Sequence, residues 1–279
     1  MKRVTVALLM LAACQADNRN LEKKIDDLTK KVDALAARGV GAAAPQRPQR
    51  VEPDRAKTYA VPVDGDPADG PADAKVTIVK AYDYACPYCE KVRDTMDDLR
   101  KKYGNDLRVV YKQFVVHPQT ATAGALAVCA ANKQGKALEM DRLLWDKGFK
   151  GRQFDKDVGE GAQAQRCWDA EAGCAVVLGF AQELGLNTTQ LKADMKGECQ
   201  AQIQKDQREL QQLGVGATPS FFVNGRFLAG AMPMENFVTL VDEELKKANE
   251  RIQAGTPAAS YYQQWVLDKG LKQLEKPQQ

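Results

Sequence analysis

"KVTIVKAYDYACPYC", residues 75–89, feeds a run rich in Val, Thr and Ile directly into two cysteines spaced Cys-Pro-Tyr-Cys. The β-branched content reads as a strand over 75–82. From Cys86 the pattern turns helical through about Lys102, with Val92, Met96 and Leu99 on one face and Gly104 ending it. A cysteine pair in that position has three possible uses. A structural zinc site needs a second such pair or suitably spaced histidines, and this chain has one histidine, His117, and no second pair. A purely structural disulfide closing so small a loop contributes little entropy. A redox dithiol remains, and the local physics favours it. Cys86 stands where unpaired N–H groups and the helix dipole favour an anion. Pro87 suits the first helical position, and a thiolate is the nucleophile of disulfide exchange. Cys86 then attacks, and Cys89, one turn on and more buried, resolves the mixed disulfide.

Working outward, "LRVVYKQFVV" (107–116) reads as a second strand, and helical patterns fill roughly 119–213. "SFFVNGRFLAG" (220–230) is a further strand with an Asn-Gly turn, and a long helix follows from Pro233. The tail, 255–279, suggests a short helix around Tyr262 and Trp265 and carries no motif. Strand–helix–strand, a helical block, then a hairpin and helix predict an α/β sheet interrupted by an all-helical insertion.

The N-terminus is of another kind. Lys2 and Arg3 precede "VTVALLMLAA", too short for a permanent membrane span but the right length for a signal-peptide core. "LAAC" resembles the lipobox of bacterial lipoproteins, which predicts removal of residues 1–13 and a lipid on Cys14; the alternative is an ordinary secretory signal cut at Ala13. The remaining chain carries 38 basic and 37 acidic residues. With no basic block, nucleic acid is not an expected partner. The whole chain, 44% hydrophobic and 28% charged over 279 residues, excludes a polytopic membrane protein.

Beyond Cys14, Leu21, Ile25, Leu28, Val32 and Leu35 fall in heptad steps, the pattern of a parallel dimeric coiled coil, with Asn18 one heptad before Ile25. Residues 16–37 are thus a candidate homodimer device, although the flanking charges pair poorly and three heptads are marginal alone. A solvated spacer helix is the alternative. Residues 38–57 mix Gly, Ala, Pro and charge without periodicity and read as a linker.

Export changes how the cysteines read, because thiols outside the cytoplasm tend to be oxidised. Setting Cys14 aside leaves six, an even number. With Cys86 and Cys89 as the redox pair, Cys129, Cys167, Cys174 and Cys199 can form two bridges in three ways. The short Gly-containing stretch between Cys167 and Cys174 favours joining those two, and Cys129 to Cys199, without excluding the others.

"DGPADAKVTIVKAYDYACPYC" together with "LGVGATPSFFVNG" (213–225) resembles the DsbA-type thiol-disulfide oxidoreductases, thioredoxin-like folds with an inserted helical domain. The resemblance covers roughly residues 60–250. It implies a cis bond at Pro219 beside the cysteines, with Thr218 and Pro219 binding an extended substrate strand. No cofactor or metal is expected beyond the redox disulfide. The implied partners are exported cysteine-containing proteins and a membrane redox partner.

One departure stands out. The family carries a buried acid six residues before the first cysteine, and this chain has Lys80 there. An ammonium would stabilise a Cys86 thiolate, unless Lys80 merely reaches out to solvent. Asp83 is a candidate substitute for the missing acid, unless it points outward. His117, at a strand end before proline, reads as a turn residue rather than a base.

The expected organisation is a signal over 1–13, a lipidated heptad helix over 14–37, a linker over 38–57, a thioredoxin-like domain over 58–250 and a tail over 251–279. The expected protein is lipid-anchored in the cell envelope, facing the periplasm. It reads as a disulfide-forming oxidase, with an isomerase or reductase, or a non-catalytic peptide-binding lipoprotein, as alternatives.

Overall fold

The computed structural model describes residues 20–34, 51–154 and 166–275. The signal segment, Cys14, Asn18 and residues 35–50 of the expected helix and linker lie outside them. The chain forms two units, Met1–Val51 and Glu52–Gln279. In the first, residues 20–34 are helical (α1), and Leu21, Ile25, Leu28 and Val32 are each more than half exposed.

The second unit is built on a five-stranded sheet in the order β1-β3-β2-β4-β5. Its centre is β2, Val76–Tyr82, in which all seven residues are buried. β2 runs parallel to β3 (Leu107–Gln113), with Lys80 opposite Tyr111, and antiparallel to β4 (Ser220–Val223). Side-chain alternation sends Ile78, Lys80 and Tyr82 to one face and Val79 and Ala81 to the other. Ile78 packs with Val92, Met96 and Leu99, whereas Val79 and Ala81 pack with Leu210, Leu213 and Phe222.

The helix expected over 86–102 is two helices, α2 (Pro87–Lys91) and α3 (Arg93–Tyr103), broken at Val92. Cys89 and Val92 are both buried across the break. The strand expected to reach residue 116 leaves the ladder after Gln113, because the N–H groups of Val116 and His117 turn to the Asp83 carboxylate. β4 and β5 (Arg226–Ala229) form a hairpin whose turn residues Asn224 and Gly225 both have positive φ, the conformation that an Asn-Gly pair tolerates best. The Asn224 side chain accepts from Thr77 N–H and donates to the Lys75 carbonyl, locking the hairpin to β2. A two-residue edge strand, β1 (Ala68–Asp69), was not expected.

The helical insertion comprises α4 (Pro118–Lys133), α5 (Ala137–Leu143) continuing into a wide turn over Leu144–Phe149, α6 (Ala175–Glu183), α7 (Thr188–Lys196) and α8 (Glu198–Gln212). The buried face of α4 is nearly all Ala and Gly, which lets it sit close to its neighbours. A Cβ on Gly124 would come within 3.0 Å of the Tyr84 ring. The disulfides are Cys129–Cys199, joining α4 to α8, and Cys167–Cys174, ahead of α6.

After β5 comes α9 (Met234–Gln253). The segment read as a tail then packs back: Tyr261, Tyr262 and Val266 are buried, and Leu271 bridges to Tyr59. The compact unit therefore begins at Glu52, inside the stretch read as linker, and includes the C-terminal segment.

Candidate active site

Cys86 precedes α2 in extended conformation, and Cys89 N–H, at 3.0 Å, and Glu90 N–H, at 3.3 Å, donate to its carbonyl. Both thiols are free; Cys86 is almost covered and Cys89 is fully buried. From the other end of the sequence, the Thr218–Pro219 bond is cis. The Cys86 thiol donates to the Thr218 carbonyl at 3.3 Å, so the two motifs meet at one point. Tyr88, between the cysteines, is 63% exposed, and Val116 is also exposed.

The two sulfurs are electrostatically unlike. Cys86 is pulled down to about 5, first by the hydrogen bond from the Cys89 thiol, against an opposing effect of burial. The Thr218 hydroxyl adds to the downward pull, as do the backbone N–H groups of Cys89 and Tyr88. That hydroxyl is buried with no hydrogen-bond partner among the described residues while the thiol keeps its proton; loss of the proton gives it an acceptor. The helix N-terminus thus contributes, but behind the neighbouring thiol, as a five-residue helix would. Cys89 is driven strongly upward, first by burial and then by its bond to Cys86, while Lys80 pulls the other way.

Lys80 does not reach out to solvent, which corrects that expectation. It is 2% exposed, and its charge is felt at Cys89. Its Nζ lies 5.4 Å from the Tyr82 ring centre and 5.8 Å from that of Tyr111. Asp83 does not point outward. Its buried carboxylate accepts from the N–H groups of Ala85, Val116 and His117 at 2.7, 2.6 and 2.8 Å. His117 Nδ1 stands 3.2 Å from the same carboxylate and the ring is half-exposed, so His117 belongs to this clasp. The clasp ties the loop before Cys86 to the loop after β3.

Sequence reasoning missed Asp141, on α5. It accepts from Tyr84 OH at 2.6 Å, and Tyr84 OH lies 3.0 Å from Tyr82 OH. Asp141 and Lys80 line one cavity of about 240 Å³, together with Arg93, Asp97 and Asp146. Arg93 pairs with Asp146 at 2.7 Å, spanning α3 and the turn after α5. The available signal was an acid set among the apolar residues of "ALEMDRLLW" (137–145). Among the described residues, no cluster of three or more His, Cys, Asp or Glu is placed to hold a metal ion.

Comparison with protein-family models matches residues 63–243 to the family described as Thioredoxin. The chain belongs to the thioredoxin family. Its sheet with a helical insertion is a thioredoxin-like arrangement. Among solved structures it is similar to a thioredoxin-like oxidoreductase from Silicibacter pomeroyi, with 28% identity and a TM-score of 0.52 over 66% of this chain and 94% of that one. It shares the fold of BdbD from Bacillus subtilis, with 22% identity and a TM-score of 0.53 over 70% of this chain and all of the other. Among curated proteins it is 33% identical over 165 residues to the Na(+)/H(+) antiporter NhaA of Herminiimonas arsenicoxydans, covering 58% of this chain and 23% of that one. The chain spans about a quarter of the length of the curated relatives it matches.

Proposed function

We propose that the protein is a disulfide-forming oxidase for exported proteins, working through Cys86 and Cys89. The observation that carries this reading is the asymmetry of the two sulfurs, with Cys86 near 5 and Cys89 far above the usual thiol range. A stabilised Cys86 thiolate favours the reduced enzyme, and so makes its disulfide an oxidant. A client thiolate attacks Cys86 sulfur, and the electron pair of the Cys86–Cys89 bond passes to Cys89. A second client thiolate then attacks the client sulfur of the mixed disulfide and releases Cys86 as a thiolate. The client loses two electrons, the enzyme gains two, and a membrane redox partner removes them. Thr218 and Pro219, beside Cys86, hold the client strand.

The signal-like residues 1–13 and Cys14 support a lipid-anchored placement facing the periplasm. Among the described residues no helix is long and apolar enough to cross a membrane. The exposed stripe Leu21, Ile25, Leu28, Val32 supports self-association through residues 16–37. It also favours the second reading, a disulfide isomerase, which profits from two facing sites.

Equilibration with glutathione buffers separates an oxidase from a reductase. An oxidase has a potential nearer about −120 mV than about −270 mV. A potential at the lower end would replace the oxidase reading with a reductase one. Cys89→Ala should trap mixed disulfides with exported clients on non-reducing gels.

A further inference from the structure

We propose that His117 is the general base that takes the proton of a client thiol as that thiol attacks Cys86, with Asp83 as the positioning residue that orients its ring. The proposal rests on dithiol exchange at Cys86 and Cys89 and assigns a step that neither cysteine performs.

The need for a base follows from the client. An ordinary cysteine thiol titrates near about 8.5, so at neutral pH only roughly a few per cent of it is thiolate. The thiolate is the species that attacks a disulfide. In the oxidised enzyme Cys86 and Cys89 are bonded to each other and accept no proton until that bond breaks. A basic group at the mouth of the site therefore speeds the attack.

His117 is placed for this. Asp83 Oδ1 accepts from Ala85 N–H at 2.7 Å and faces His117 Nδ1 at 3.2 Å, while the Asp83 carbonyl accepts from Cys86 N–H at 3.1 Å. One residue thus holds both the imidazole and the backbone of the attacked cysteine. The His117 backbone is fixed as well: its N–H donates to Asp83 Oδ2 at 2.8 Å and its carbonyl accepts from Ala121 N–H at 2.9 Å. A carboxylate beside Nδ1 keeps the proton of neutral imidazole on that nitrogen and leaves the Nε2 lone pair free. The ring is half-exposed, does not cap the helix it precedes, and has no partner at Nε2 among the described residues. Among the described residues of the compact unit, the large apolar side chains left exposed are Tyr88 and Val116. Tyr88 lies between the cysteines and Val116 immediately precedes His117, so a client strand resting on both passes the sulfur and the imidazole.

The step balances without a further reactant. The client S–H bond breaks, an N–H bond forms at His117 Nε2, and the freed electron pair forms the bond to Cys86 sulfur. The electron pair of the Cys86–Cys89 bond passes to Cys89. The imidazolium, its charge compensated by Asp83, then gives the proton to water. The oxidant is the enzyme disulfide and the reductant is the client thiol.

The test is single-turnover reduction of the oxidised full chain by an excess of either of two thiols. One is a cysteine-containing model peptide; the other is thiophenol, which is already ionised near neutral pH. His117→Asn puts an amide N–H where Nδ1 stands, so the bond to Asp83 is kept and the base is lost. With the peptide the variant should be slower by roughly tenfold or more at about pH 7. The gap should close to within about twofold at about pH 9.5, where the peptide thiol ionises without help. With thiophenol the variant should match wild type. A histidine that only supports the loop slows both thiols alike, so an equal loss with both overturns the base. A deficit that persists at the higher pH does so as well, as does a variant as fast as wild type with the peptide. Should His117→Asn fail to fold, the wild-type protein supplies the test, because the chain has one histidine. Acylation by diethyl pyrocarbonate should give the same peptide-selective loss, and hydroxylamine should restore the rate. An acylated protein at full rate overturns the base independently. A wild-type protein that oxidises neither thiol would instead defeat the dithiol reading beneath it.

Discussion

Cys86 Sγ lies 3.3 Å from the carbonyl oxygen of Thr218, although 132 residues separate the two in sequence. The contact brings the attacking sulfur to the loop that enters the hairpin. It also sets the Thr218 hydroxyl, buried and without a partner among the described residues, beside that sulfur. Thr218→Val keeps the branched shape and the carbonyl contact but deletes the hydroxyl. A hydrogen bond to a charged group contributes about 1.5–3 kcal/mol, so the Cys86 midpoint should rise by roughly one to two pH units. Thiolate absorbance titration of the reduced protein measures it, with Thr218→Ser as the rescue. An unmoved midpoint in the Val variant would show that the hydroxyl does not act on the sulfur.

The same sulfur should make the stability of the reduced protein depend on pH. Its folded value is about 5 against an ordinary 9.0. Above pH 9 the thiol is ionised whether the chain is folded or not, and the stabilisation is fully present. Between 9 and 5 only the folded form holds the anion, so the contribution shrinks as pH falls and is gone below 5. Urea unfolding of the reduced protein should therefore show its advantage over Cys86→Ala narrowing from pH 8 to pH 5. A difference that stays level over that interval contradicts the lowered value.

Much of this site is legible in the sequence, for identifiable reasons. The β-branched run ending at Tyr82, the Pro87 start signal and the Asn224-Gly225 turn are local, so each announces its element without help from the rest of the chain. The break at Val92 and the edge pair Ala68–Asp69 are too short to leave a periodic trace. Lys80 was visible as an oddity, but its surroundings were not. Asp141 arrives from the helical insertion, and only the packing of α5 against the sheet brings both to one cavity. Likewise, the leading influence on Cys86 is the Cys89 thiol, a geometric fact that a four-residue spacing leaves open.

The two disulfides should differ in what they contribute. Cys129–Cys199 spans 70 residues and Cys167–Cys174 spans 7. Chain entropy then assigns roughly 4 kcal/mol to the first and roughly 2 kcal/mol to the second. Replacing Cys129 and Cys199 together by Ala should lower the urea midpoint more than replacing Cys167 and Cys174. Cys86 alkylation should persist in both. The opposite order of midpoints would mean that the helical insertion does not depend on the α4–α8 link.

Asp83 holds the loop that presents Cys86, and Asp83→Asn tests whether that hold needs a carboxylate. Both oxygens are occupied: one accepts from Ala85 N–H and faces His117 Nδ1, the other accepts from Val116 and His117 N–H. An amide has one accepting oxygen, so either orientation turns an NH₂ group toward at least one partly buried N–H. An orphaned donor costs about 1–3 kcal/mol when fully buried, and these partly buried ones fall toward the lower end. The Asp83 backbone carbonyl also accepts from Cys86 N–H at 3.1 Å, so loosening the clasp reaches the nucleophile directly. Asp83→Asn should lose about 1 kcal/mol or more in urea unfolding and react more slowly with iodoacetamide at Cys86. Wild-type stability with a wild-type alkylation rate would reduce Asp83 to a polar residue that the loop does not need.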